Sequence, residues 1–116
     1  VLDIKRGGLL PIESLARWAG LAAGVGAAST PARLRAAEAA GTLEAGDAAV
    51  LRDALELMSE LRMEHQVEQL RAGRRPDNLI QPNSLPALTR TSLKEAFRAV
   101  ARVQRGIGLQ HGFAAR

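Results

Sequence analysis

Arg62, His65 and Gln69 stand three and four residues apart, so on a helix turning about 100° per residue they share one sector. A guanidinium, an imidazole and a carboxamide on one face can bind an anion, move a proton or hydrogen-bond a polar group. The plainer reading of His65 is a buried histidine satisfied across a bundle; the competing one is a polar cluster that contacts a ligand. Gln104 is the one polar residue in the otherwise apolar stripe of the last helix; it meets that cluster only if the two stand at the same height in the bundle, and otherwise it bonds a backbone carbonyl. Lys5 and Arg6 precede Gly7-Gly8, where backbone N–H groups at a helix start can hold an anion, although a plain turn explains the pair more simply. Glu56, Glu60, Glu64 and Glu68 recur at i+4. Such a ladder marks a solvated face rather than a metal site. Lys94, Arg98, Arg102 and Arg105 collect on one side of the last helical segment, relieved by Glu95. That face suits solvent or an acidic neighbouring domain better than nucleic acid, because two Phe and one Trp leave little to stack on bases. No Walker loop, HExxH or GxSxG pattern occurs. With no Cys and two His, thiolate chemistry and a three-histidine metal site are excluded.

The elements that must hold these residues are helices. Of 116 residues 47% are hydrophobic and only 3% aromatic, and Ala, Leu and Arg abound where Val and Ile are sparse, a bias toward helix. The expected fold is all-α, an up-and-down bundle of about four main helices forming one domain over residues 1–116. Pro11 suits a first helical turn, and Ile12, Leu15, Ala19 and Ala22 give that helix a small-residue face. Ser29-Thr30-Pro31 opens a short second helix that ends at Gly41. The third runs from about Ala45 to Ala72 with Gly73 as its stop. Its stripe of Leu51, Ala54, Leu55, Met58 and Leu61 turns polar at Arg62, while Met63, Val67 and Leu70 point to packing on a second side. Residues 74–83 read as an irregular connection pinned by Leu79-Ile80. The last helix, about Pro86 to Gln110, buries Leu93, Ala96, Phe97, Val100, Val103 and Ile107. No run approaches the roughly 18 apolar residues of a membrane span, and the start lacks a leader pattern. The expected location is the cytoplasm. A formal charge of +4 and a pI near 11.0 favour anionic partners, and the opening Val1 suggests an excerpt from a longer polypeptide.

Several blocks, in order and at regular spacing, carry a family resemblance: Leu2-Asp3-Ile4-Lys5-Arg6-Gly7-Gly8-Leu9-Leu10-Pro11-Ile12, Leu15-Ala16-Arg17, Leu61-Arg62 with His65-Gln66 and Gln69, Gly73 with Pro76-Asp77-Asn78, and Leu93-Lys94 with Ala96-Phe97 and Gln104. From Asp3 to about Gln104 the chain resembles the nucleotidyltransferase substrate-binding domain, the C-terminal helical part of bacterial proteins with cyclic-nucleotide-binding and CBS domains, similar to PII-protein uridylyltransferases. The resemblance implies an upstream polymerase-β-like catalytic domain that holds Mg2+ and a nucleoside triphosphate, with no cofactor in this segment. Residues 1–10 would be the hinge from that domain, and the 116-residue segment alone would lack transferase activity. By the same carry-over Lys5, Arg17, Arg62, His65, Gln66, Asp77, Asn78 and Lys94 would line or support the cleft that binds substrate. The implied partners are the upstream domain, a protein acceptor and a second copy of the chain. The alternative is a helical interaction module of a signal-transduction protein, without a small-molecule site. Pro86 in place of a Ser or Thr cap, and Glu44-Ala45-Gly46-Asp47 at the third helix start, depart from the pattern and blur those helix boundaries.

Overall fold

Helix-forming composition and proline and glycine punctuation give four α-helices among the residues that the computed structural model describes, 1–24 and 28–111, with side chains as far as Ile107. They are α1 (Leu10–Ala22), α2 (Thr30–Ala40), α3 (Ala45–Arg71) and α4 (Ala87–His111). Two short strands, β1 (Leu2–Asp3) and β2 (Leu79–Ile80), pair antiparallel with Leu2 opposite Ile80 and Asp3 opposite Leu79. The fold is an all-α bundle with this small ribbon at its side.

The helix ends follow local chemistry. Ser29 accepts a hydrogen bond from the Ala32 N–H and caps α2, while Gly41 closes it at a φ of 77° that a side chain would resist. Thr42 then ties the corner together, its hydroxyl lying 3.2 Å from the carbonyls of both Ala19 on α1 and Ala37 on α2. Glu44 starts α3 without a side-chain cap, so its backbone carbonyl alone takes the first helical bond from Ala48. Along 27 residues α3 runs about 40 Å, close to the 44 Å long dimension of the molecule.

The Gly7-Gly8 pair is not an open turn. Residues Lys5–Leu9 form a π-helical turn that continues into α1, with the Leu10 N–H donating to the Lys5 carbonyl. Pro11 explains the widening: its ring has no N–H and crowds the carbonyl four residues back, which a π turn relieves. Asp3 starts this helix, its Oδ1 accepting from the N–H groups of Lys5 at 3.1 Å and Arg6 at 2.9 Å. The Lys5 and Arg6 N–H groups that open this helix are thus already taken by the chain's own carboxylate.

Ile4, Ile12, Leu34, Leu51, Met58 and Val103 are the largest fully buried side chains. Each such burial contributes roughly 1.5–3 kcal/mol, and Ile4 fixes the N-terminal segment to the core. Gly8 permits this approach, since a Cβ there would overlap Met58 Sδ and stand 3.2 Å from the Phe97 ring. α4 lies antiparallel to α3: Phe97 reaches the level of Met58 through Gly8, whereas Val103 and Ile107 share a hollow with Glu44 and Asp47 at the start of α3.

Candidate functional site

The apolar stripe of α3 does turn polar where the spacing indicates. Leu51, Ala54, Met58 and Leu61 are buried, and the same sector continues through the half-buried Arg62 and His65 to Gln69, a polar side chain only 4% exposed. What meets these groups is the connection after α3. Gly73, at a φ of 72°, turns the chain back, and the Arg74 N–H donates to the Gln69 carbonyl at 2.8 Å.

Asp77 and Asn78 then lie along the polar end of α3. Arg62 Nε donates to Asn78 Oδ1 at 2.7 Å, and Gln66 Nε2 donates to the Asp77 carbonyl at 3.0 Å and to Asn78 Oδ1 at 3.2 Å. Gln69 Oε1 accepts the Asp77 N–H at 2.9 Å. His65 Nε2 stands 2.9 Å from Asp77 Oδ1, which also accepts the Leu79 N–H at 3.0 Å. The Asn78 carbonyl accepts the Ile4 N–H at 3.0 Å, carrying the network across to β1. No buried side-chain nitrogen or oxygen among the described residues lacks a partner, which satisfies the requirement on buried polar groups.

The carboxyl of Asp77 is held at about 2, below its ordinary value near 3.8. The hydrogen bond from His65 is the main cause, followed by the Leu79 N–H and the Gln69 side chain, with desolvation opposing them. Asp77 therefore stays anionic beside His65 through the physiological range. The guanidinium of Arg62 has a different character. Its Nε is fixed by Asn78, while its terminal Nη groups make no hydrogen bond to a described residue. Arg62 also borders a shallow hollow of about 320 Å³ with Ser59, Met63, Gln66, Val67 and Leu70. A pre-oriented guanidinium with free N–H groups can receive a carboxylate or phosphate in two-pronged fashion.

Of the residues carried over by resemblance, Arg62, His65, Gln66, Asp77 and Asn78 form this one network. Lys5, Arg17 and Lys94 are exposed and make no hydrogen bond to it. Gln104 does not face the cluster. Its neighbours Arg102, Val103 and Gly106 line a wider hollow of about 990 Å³ with Trp18, Glu44 and Asp47, near the opposite end of α3. Asp47 and Arg62 are fifteen positions apart, about 22 Å along a helix, so a shared angular sector does not make these groups meet. Met63, Val67 and Leu70 were expected to pack against a second side, and they are exposed instead.

Sequence reasoning missed the part of Asp3 in closing the helix start. An acidic residue just ahead of the first helical N–H groups was the available signal. The glutamate ladder is exposed along α3, and among the described residues no three His, Cys, Asp or Glu converge to hold a metal ion. Nor is any described helix long and apolar enough to cross a membrane.

A family profile described as Putative nucleotidyltransferase substrate binding domain matches residues 1–111. No curated protein and no solved structure matches the chain. Since the match spans the bundle, the ribbon and the whole polar network, the chain belongs to the nucleotidyltransferase substrate-binding domain family.

Proposed function

We propose that this domain binds and orients the acceptor or the nucleotide for an upstream polymerase-β-like catalytic domain related to PII-protein uridylyltransferases. The observation that carries the reading is the Arg62 guanidinium, locked by Asn78 on one side and open on the other at the rim of a hollow. Nucleotidyl transfer gains much of its rate from orienting charged reactants. A fixed cation can hold a phosphate or carboxylate at a set distance without first losing side-chain freedom.

In this reading His65, Gln66, Gln69 and Asp77 are positioning residues. They clamp residues 77–78 to α3, and Asn78 in turn aims Arg62. Chain from the catalytic domain would enter the bundle through β1, which is already tied to Ile80. In this reading Mg2+ and the transfer step belong to the catalytic domain, where the reacting phosphates of the triphosphate sit, and the segment alone transfers no nucleotide.

The test uses the polypeptide that contains the catalytic domain. Arg62→Lys keeps the charge and removes the planar fork. The expected result is a rise in KM for nucleotide or acceptor of roughly tenfold or more, in a protein whose circular dichroism shows the helices retained. Unaltered kinetics in a folded Arg62→Lys protein would contradict the proposal.

A further inference from the structure

The C-terminal half of α3 bears an apolar stripe that nothing in the bundle covers. Met63 is 68% exposed, Val67 38% and Leu70 60%, a grouping that water penalises and that marks an interaction surface more often than scattered single residues do. Met63, Gln66, Val67 and Leu70 are spaced i, i+3, i+4 and i+7 and line the shallow hollow beside Arg62. Four residues so spaced make the hole that receives a knob from a facing helix.

The charges flanking the stripe select the occupant. At about 100° per residue, Glu60, Glu64 and Arg71 fall together along one edge of it, acidic toward the middle of α3 and basic toward its end, where Arg74 and Arg75 follow. A parallel two-fold neighbour would turn this edge toward the opposite one, where Arg62 and Gln69 are already tied to residues 77–78. An antiparallel neighbour sets the edge against itself in reverse order, acidic end to basic end.

We infer that the chain forms a two-fold dimer in which α3 packs antiparallel on α3 of a second copy about an axis beside Val67. Met63 then lies opposite Leu70 of the second copy, Gln66 and Val67 interleave at the axis, and Glu64 faces Arg71. Two-fold symmetry repeats each contact, so one complementary edge supplies two such ion pairs. The apolar part of the interface is small, three side chains from each copy, which implies a weak, concentration-dependent dimer. Glu64 and Arg71 occupy the opposite edge of the stripe from Arg62. The facing helix fills the hollow beside Arg62, so the dimer and a ligand seated there compete, whereas the charge exchanges at Glu64 and Arg71 leave Arg62 unchanged and read the dimer by itself.

Sedimentation equilibrium of the 116-residue chain over a concentration series tests this, with circular dichroism checking that each variant keeps its helices. The unsubstituted chain is expected to dimerise reversibly. Glu64→Arg or Arg71→Glu alone should weaken association roughly tenfold, and both in one chain should restore it because the pairing is merely inverted. Val67→Lys, or Met63→Lys as a second variant at a more exposed position, should leave monomer only. The inference is overturned by a chain that stays monomeric at its highest soluble concentration, by a dimer that both lysine variants leave intact, or by a double charge exchange no tighter than the single ones.

Discussion

Arg62 and Asn78 are joined by a 2.7 Å hydrogen bond from Nε to Oδ1, and the backbone carbonyl of the same Asn78 accepts from Ile4. One residue thus links the polar end of α3 to the segment that leads into α1. Removing Asn78 leaves the half-buried Arg62 Nε without its mate, and removing Arg62 deprives Asn78 Oδ1 of one of its two donors, each at a cost of about 1 kcal/mol. Arg62→Ala and Asn78→Ala are each expected to lower the urea unfolding free energy by that amount. Because both remove the same bond, the double variant should fall short of the sum. Strict additivity would show that the bond does not form in solution.

The low pKa of Asp77 makes the clamp sensitive to acid in one direction. Its carboxyl titrates near 3.8 when free and at about 2 when folded, so the folded state favours the anion. The resulting stabilisation is complete above about pH 4 and disappears as pH falls through about 2. Asp77 is 43% exposed at its side chain, so solvent screening keeps the effect modest. In urea titrations between pH 5 and pH 2, the native chain should lose more stability than Asp77→Asn does. Parallel pH profiles for the two proteins would refute the assignment.

Gly8 is required for a packing reason, since a Cβ at this position would overlap Met58 Sδ. Gly8→Ala should cost about 1–3 kcal/mol through overpacking. In a Met58→Ala background, where the sulfur is gone, the same change should be tolerated much better, a non-additivity that denaturant unfolding would reveal.

Thr42 bonds carbonyls on two helices from one hydroxyl. Thr42→Val keeps the shape and loses the donor, so a destabilisation of about 1 kcal/mol is expected. Faster amide exchange should appear at the end of α2 while α3 is unaffected. A variant as stable as the native chain would show the corner is held by packing alone.

Angular periodicity made much of this architecture legible. The stripe from Leu51 to Leu61 and its change at Arg62, His65 and Gln69 follow from helical geometry, and Gly41 and Gly73 stop their helices because both adopt positive φ. Asp77 and Asn78 could not be found that way, for a connection has no period. Only the family resemblance brought them to the cluster. The position of Gln104 was open for the complementary reason: a helical wheel gives direction around the axis and says nothing of height along a neighbouring helix. Gly7-Gly8 read as a turn because glycine usually marks one. Here Asp3 and Pro11 start a helix early and widen it, and glycine serves the approach of Met58 and Phe97. Lys5, Arg17 and Lys94, assigned to the cleft by the resemblance alone, lie exposed and outside the network.

The claim that Arg62 is held ready for an anionic ligand is tested most directly by nitrogen-15 NMR of the 116-residue chain titrated with a nucleoside triphosphate. The account predicts saturable shifts of the Arg62 side-chain N–H signals and of the Gln66 amide, with both diminished by Arg62→Lys. It is contradicted if those signals stay fixed, or if the only shifts arise along Lys94, Arg98, Arg102 and Arg105 on α4.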